Sequence, residues 1–309
     1  MLPHIGHKLN YYCGFYLNTA KEKIFALKGG TAINLFVREL PRLSVDIDLT
    51  YLPFENRDTA LKGISDGLER IKKDLLASIP HIQVTFLPQS NNQETKLRCK
   101  FNNAQIKIEV NTTIRGYLQE PRFIPVTNTV QNKFSLFAAS TVVAQGELYG
   151  GKICAALDRQ HPRDLFDIQK LFENEGLTKE IRLGFIAALL CSNRPINEVL
   201  KPNFQNQRIA FESQFAGMTN DPFSYEDYKM ARKRLVREIH KSFTEDDRKL
   251  LVSFKMGQPE WSLYPFKNLK KMPAVKWKLQ NIQKLLLENP VKHTQESTKL
   301  KRCLDQGHL

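Results

Sequence analysis

The pattern of apolar and polar residues predicts a strand, a sharp turn and a helix near the start of the chain. Phe25 to Leu27 is a short apolar run that ends at Gly29-Gly30. From Thr31 to Leu40 the apolar residues recur at a spacing closer to that of a helix than to that of a strand. Arg42 to Leu49 then alternates apolar and polar residues strictly, which predicts a second strand.

The same periodicities predict further elements as far as the middle of the chain. Thr59 to Ser78 has apolar residues at alternating steps of three and four, which indicates an amphipathic helix. Ile82 to Leu87 and Lys96 to Phe101 alternate as strands, and Gln105 to Thr112 is expected to pair back on the latter as a hairpin. From Leu136 onward the strand signals fade and helical spacing dominates.

These elements predict an α/β (α+β) chain of two domains. We expect residues 1–140 to form a domain with a short mixed sheet and residues 141–309 to form a mostly helical domain with a basic tail. A length of 309 residues suffices for two domains of ordinary size, and 41% hydrophobic with 25% charged residues is typical of a soluble globular protein.

The sequence also lacks the signals of several other protein classes. No apolar run approaches the ~20 residues of a membrane span, and the start MLPHIGHKLN lacks the apolar core of a signal peptide, so we expect a cytoplasmic protein without a membrane partner. The five cysteines form no C-x-x-C pair, and no G-x-S-x-G, H-E-x-x-H or Walker A motif occurs. Hydrolase, zinc-binding and ATPase motor functions therefore have no support.

The charge balance favours a polyanionic partner. The net charge is +14 with a pI near 9.5. From Lys267 to Arg302 there are ten Lys or Arg residues against only Glu288 and Glu296, and Trp277 in this stretch could stack on a base. The alternative is a solvated basic helix face with a loose tail, in which Trp277 is a packing residue.

Three carboxylates fall on the predicted strands. Asp46 and Asp48 share the polar face of one strand, where they repel each other unless a cation lies between them. Mg²⁺, or Mn²⁺, prefers such oxygen ligands. Glu109 is the only acid on Gln105–Thr112 and lies on its polar face, so it is the candidate third ligand of a two-ion site. The alternatives are an edge strand kept soluble by its two Asp, and an ordinary Glu opposite a Lys.

A second charged group lies in the helical half. Lys152 precedes a predicted turn at His161-Pro162, and Arg163, Asp164 and Asp167 follow it. Such an arrangement is typical of a salt-bridged surface corner between two helices.

The segments KGGTAINLF, RLSVDIDL, GGKICAAL and RDLFD together resemble the polymerase-β-like nucleotidyltransferase superfamily. More narrowly, they resemble the AbiEii/AbiGii-type toxins of bacterial type IV toxin–antitoxin systems. The resemblance implies that residues 1–140 form a nucleotidyltransferase domain. It also implies metal-dependent transfer of a nucleotide from an NTP to an acceptor hydroxyl, with release of pyrophosphate.

The resemblance further implies roles for individual residues and partners. Asp46, Asp48 and Glu109 would bind metal and, with Lys152, act in catalysis. The implied nucleotide-binding residues are Gly29, Gly30, Thr31, Ser44, Lys152, Arg163, Asp164 and Asp167. A cognate antitoxin is the implied partner, and the acceptor in related toxins can be the 3′ end of transfer RNA. Two other functions remain open from the sequence, namely an NTP-binding pseudoenzyme or sensor and a basic nucleic-acid-binding module without catalysis.

Overall fold

A computed structural model of the protein describes residues 19–44, 46–87, 95–102, 104–135 and 137–305. The chain forms two compact units. The first comprises the residues up to Ala144 together with Ala216–Pro222, and the second comprises Gln145–Phe215 and Phe223–Leu309.

The first unit is built on a seven-stranded mixed sheet in the order β3-β4-β5-β2-β1-β7-β6. Strand β2 pairs antiparallel with β1 and parallel with β5, β1 pairs parallel with β7, and the other neighbours are antiparallel. The strands are β1 (Phe25–Lys28), β2 (Ile47–Tyr51), β3 (Gln83–Phe86), β4 (Lys96–Phe101), β5 (Ala104–Asn111), β6 (Arg122–Pro125) and β7 (Ala139–Val142).

One face of the central strands is apolar and is covered by a long helix. The helices of this unit are α1 (Gly29–Ala32), which continues as π-helix over Ile33–Val37, α2 (Arg57–Ser78) and α3 (Asn128–Phe134). Phe25 and Tyr51 are opposite each other on this face, and α2 approaches them so closely that Gly67 and Gly63 have no room for a side chain. The opposite face is therefore left for the polar residues of β2 and β5.

Most of the predicted elements of this unit are confirmed. The hairpin of β4 and β5 and the helix α2 form within a few residues of their predicted bounds. The strand predicted over Arg42–Leu49 is wrong in its first half, because β2 begins only at Ile47. The backbone before it pairs elsewhere, since the Leu43 amide donates to the Met218 carbonyl at 2.8 Å; Val45 lies outside the described residues. Strands β6 and β7 were not expected from the sequence.

The second unit is helical throughout its described residues, as the sequence predicts. Its helices are α4 (Gln145–Asp158), α5 (Pro162–Glu173), α6 (Lys179–Cys191), α7 (Ile196–Leu200), α8 (Arg208–Gln214), α9 (Tyr225–Ser242), α10 (Glu245–Lys255), α11 (Pro273–Glu288) and α12 (Pro290–Asp305), with short 3₁₀ turns at Trp261–Leu263 and Leu269–Lys271. Ser224 and Thr244 each begin a helix with a capping box.

Glycines bring two of these helices into backbone contact. A Cβ on Gly150 of α4 would lie 2.1 Å from the backbone carbon of Gly184 in α6. A Cβ on Gly184 would in turn lie 1.8 Å from the carbonyl oxygen of Gly146. Gly146 and Gly150 are therefore part of the surface by which α4 packs on α6.

The basic C-terminal stretch forms packed helices and no loose tail, at least to Asp305. Leu300 and Leu304 of α12 are buried, and the Lys278 ammonium donates to the carbonyls of Leu189 and Arg194 at 2.8 and 2.9 Å. Among the described residues, no helix combines the length and the apolar character needed to cross a membrane.

Candidate active site

A row of four charged residues crosses the polar face of the sheet. Lys28 of β1 is opposite Asp48 of β2, Asp48 is in register with Glu109 of β5, and Glu109 is opposite Lys96 of β4. Adjacent strands lie about 4.8 Å apart, so each of these residues neighbours the next. The Lys96 ammonium lies 2.7 Å from the Glu109 carboxylate. The two predicted site acids are thus side by side, with a lysine at each end of the row.

The glycine turn after β1 packs directly against Asp48. Gly29 has a positive φ of 76°, a conformation that favours glycine. A Cβ at this position would lie 2.4 Å from the Asp48 Oδ2. The absence of a side chain at Gly29 therefore allows the turn and the Asp48 carboxylate to approach each other.

Thr31, Ser44 and Asp46 form a second group beside the turn. The Thr31 hydroxyl lies 2.9 Å from the Ser44 Oγ and 2.5 Å from the Asp46 carbonyl oxygen. Arg42, which sequence reasoning missed, is buried here, and a Cβ on Gly30 would lie 2.7 Å from its Nη2. These contacts join the predicted glycine turn to the segment that leads into β2.

The residues fit a hard divalent cation in the chemistry of their oxygen ligands. Asp48 and Glu109 are partly exposed carboxylates on adjacent strands, Asp46 immediately precedes β2, and the Lys96 ammonium already places a positive charge on Glu109. Within the described residues, no group of three or more His, Cys, Asp or Glu is gathered closely enough to hold a metal as it stands. The three carboxylates therefore offer ligands of the expected type without forming a closed cage.

The charged group of the second unit is a buried ion-pair network. The Lys152 ammonium lies 2.7 Å from Asp164 and 3.0 Å from Asp167, and both carboxylates are only 1% exposed. Arg159 holds Asp164 through two hydrogen bonds of 2.6 and 3.0 Å. The Arg163 amide donates to the His161 ring, which caps α5. The salt bridges expected at this corner are therefore present, but its two aspartates are buried and do not lie at the surface.

Opposing effects set the pKa of Asp164. Burial by itself raises the pKa of this carboxyl, but the charges of Lys152 and Arg159 and their hydrogen bonds outweigh burial and hold the pKa well below its usual range. Asp164 is therefore a permanently charged member of the network at neutral pH.

The structure thus groups the predicted site residues into two sets. Gly29, Gly30, Thr31, Ser44, Asp46, Asp48 and Glu109 belong to the first unit, and Lys152, Arg163, Asp164 and Asp167 belong to the second. Sequence reasoning missed Lys28, Arg42 and Lys96, and it gave Arg159 no role in the site. Only strand register could have identified the two row-end lysines, whereas Arg159 follows Lys152 by seven residues, or about two helical turns.

Comparisons with known proteins identify a family and a similar fold. The family model described as "Nucleotidyl transferase AbiEii toxin, Type IV TA system" matches residues 16–281. Among solved structures, the chain is similar to the nucleotidyltransferase toxin MenT4 of Mycobacterium tuberculosis H37Rv, with a TM-score of 0.58 and 12% identity over 90% of this chain and 93% of that one. At this identity the likeness concerns the fold. No curated protein matches the chain.

Proposed function

Because the chain belongs to the AbiEii nucleotidyltransferase toxin family of type IV toxin–antitoxin systems, we propose that it transfers a nucleotide from an NTP to an acceptor hydroxyl and releases pyrophosphate. The observation that carries the proposal is the register of Asp48 with Glu109 beside the Gly29 turn. This arrangement places two carboxylates next to a backbone segment that a ligand can approach closely.

We propose that Asp46, Asp48 and Glu109 hold Mg²⁺ or Mn²⁺. When bound, such ions would supply positive charge to the reacting phosphate and lower the pKa of the attacking hydroxyl. The part of the three carboxylates would be to hold the ions in place. The backbone amides of Gly29 and Gly30 are the expected donors to the phosphate oxygens.

The predicted site residues of the second unit are expected to contact the nucleotide and not the metal ions. Lys152 is held between two carboxylates, so its position is fixed before any nucleotide binds. That Lys152, Arg163, Asp164 and Asp167 bind nucleotide stays a prediction.

Nucleotide transfer can be tested with the full-length protein, Mg²⁺, each α-labelled NTP and total cellular RNA or protein. Wild type should label an acceptor, and Asp46→Asn or Asp48→Asn should reduce labelling by about 100-fold or more. Asp58→Asn is the matched control, because it is the same change at an exposed residue of α2. Glu109→Gln should lower turnover more than NTP binding.

Either of two results would contradict these assignments. Retention of more than about a tenth of the activity by Asp48→Asn would exclude a metal-binding role for that carboxylate. A neutral Glu109→Gln beside an inactive Asp167→Asn that remains folded would place the third essential carboxylate in the second unit.

We propose RNA, with the 3′ end of transfer RNA as the specific expectation, as the acceptor. The support is the net charge of +14 and the exposed lysines Lys270, Lys271 and Lys276 near the exposed Trp277. Lys278 does not belong to this surface, since its ammonium donates to two backbone carbonyls.

Neutralising those three exposed lysines should weaken RNA binding and leave NTP binding unchanged. The slope of log K against log salt should fall by about 2, at roughly 0.7 for each single-strand phosphate contact. The control removes three exposed lysines of the first unit, Lys23, Lys62 and Lys73. Equal RNA labelling by both triple variants would indicate that the C-terminal lysines are solvated surface, and would favour a protein or small-molecule acceptor.

A further inference from the structure

A cavity of about 200 Å³ in the second unit contains cations and no acid. It is lined by the turn between α6 and α7, by the end of α10 and by one face of α11. Its lining includes Arg194, Lys255 and Lys278 but no Asp or Glu. None of the predicted site residues lines it.

Lys255 is the least compensated of these cations. It is the last residue of α10 and is 9% exposed. Among the described residues, its ammonium has no hydrogen bond and no ion pair, and the charge of Glu296 favours its charged form. Burial of the side chain lowers the pKa of Lys255. A charge that is largely removed from water without a partner is costly, so an anion in the cavity would relieve this cost.

The surroundings of the two neighbouring cations, Lys278 and Arg194, add no carboxylate to the cavity wall. Lys278 donates to two backbone carbonyls and is so deeply buried that its pKa falls to about 8. Arg194 is paired with Asp158 and Glu198, neither of which lines the cavity. The cavity floor therefore carries a positive charge that side chains of its own wall do not neutralise.

The rim supplies a flat aromatic surface. Trp277 of α11 lines the cavity and is 60% exposed. Ile282 and Leu285, one and two turns further along the helix, continue the apolar wall. Asn193 and Asn281 add side-chain amides that can donate and accept hydrogen bonds. A ligand with an anionic end and an aromatic ring would satisfy both the lysine and the indole.

We propose that this cavity binds a nucleotide, with the phosphate at Lys255 and the base stacked on Trp277. Phosphate suits a compact ammonium, and base stacking on an exposed indole tolerates any base. The same chemistry is presented by a free mononucleotide and by one nucleotide of a single strand. The site shares no residue with the proposed metal and NTP sites, and it shares only Trp277 with the surface proposed to bind RNA.

The test measures binding of AMP and of the oligonucleotide rA₅ by calorimetry. The full chain carries Asp46→Asn and Asp48→Asn, and EDTA is present, so that the proposed NTP site does not contribute. Trp277→Ala should weaken AMP binding by about 5- to 150-fold. Lys255→Gln should weaken it by at least about 10-fold. Lys284→Gln is the matched control, since Lys284 is exposed on α11, the helix that carries Trp277, and does not line the cavity.

The same assay, run with fragments of AMP, tests which half of the nucleotide each residue binds. The comparison of AMP with rA₅ distinguishes a free nucleotide from a strand. Adenosine should lose sensitivity to Lys255→Gln, and ribose 5-phosphate should lose sensitivity to Trp277→Ala. AMP binding as tight as that of rA₅ would indicate a free nucleotide, whereas much tighter rA₅ binding with the same sensitivities would indicate a strand.

Three results would overturn the proposal. These are no binding of either ligand at millimolar concentration, unchanged affinity in Trp277→Ala, or an equal loss in Lys284→Gln. Trp277 is largely exposed, so its variant keeps the test decisive even if Lys255→Gln fails to fold.

Discussion

Replacing Gly29 by alanine should separate the chemistry of the site from the stability of the fold. The residue has a φ of 76° and lies against Asp48. The change adds one methyl group and alters no charge, so any effect on activity must come from geometry.

The structural effect can be worked out in two parts. A left-handed conformation costs alanine about 1–2 kcal/mol, of which roughly half is offset by the lower entropy of the unfolded chain. The new Cβ would be 2.4 Å from the Asp48 Oδ2, whereas ordinary contacts begin at 3.4 Å, so the carboxylate must move by about 1 Å. A misplacement of this size commonly costs about 100-fold in rate.

These magnitudes decide which effect dominates. A domain with about 5–15 kcal/mol of stability remains folded after losing about 1 kcal/mol. We therefore expect Gly29→Ala to lower the urea midpoint only slightly and to reduce nucleotide transfer by about 100-fold.

The control is Gly151→Ala, because a Cβ at Gly151 of α4 meets nothing within 4 Å. Helix propensity should stabilise that variant by about 0.5–1 kcal/mol and leave activity unchanged. The reasoning would be refuted if Gly29→Ala kept more than a third of the activity, or if Gly151→Ala lost as much.

Three further predictions concern the second unit. Gly150→Ala should lower the urea midpoint, since the added Cβ would be 2.1 Å from the Gly184 backbone and the overpacking cost of about 1–3 kcal/mol exceeds the helix gain; an unchanged midpoint would contradict the close packing. Lys152→Met should lower the free energy of unfolding by about 3–5 kcal/mol at pH 7, because it leaves Asp164 and Asp167 buried without this cation. A decrease below about 1 kcal/mol would count against a stabilising role for the network. The pKa of Asp164 is depressed in the folded state, so this carboxyl contributes to the free energy of unfolding above its ordinary pKa of 3.8, and the contribution disappears as the pH falls below that value. Lys152→Met should therefore flatten the acid limb of a plot of the free energy of unfolding against pH.

The elements predictable from sequence are those whose pattern is local. Helix α2 and the hairpin of β4 and β5 follow from spacing alone, because their partners are near in the chain or their apolar stripe is long. The alternation over Arg42–Leu49 predicted a strand that begins too early, because the backbone partner of its first half is distant in the sequence. Leu43 satisfies the period of a strand, yet its amide bonds to Met218, and no local pattern reveals a pairing so distant in sequence.

The candidate site was predictable residue by residue but not as an arrangement. Asp48 and Glu109 stand out because each is an acid on the polar face of a strand. Their adjacency depends on the parallel pairing of β2 with β5, and the two lysines of the row depend on two further pairings. Pairing partners are set by the packing of α2 on the opposite face and by the topology of the whole sheet, which the period-two pattern does not encode.

Glu109 is the residue at which both sequence interpretations meet. It neighbours Asp48 across β2 and β5, as a metal ligand would, and it bonds Lys96 across β4 and β5, as an ordinary cross-strand partner would. The two roles are compatible, because an ion pair as exposed as this one contributes only about 0–1 kcal/mol and can be replaced by a stronger cation. The row-end lysines reduce the repulsion between the two adjacent carboxylates while no metal is bound, and they leave the carboxylate oxygens accessible from solvent. Two adjacent carboxylates flanked by two lysines would keep the proposed divalent-cation site folded at little cost before a metal ion binds.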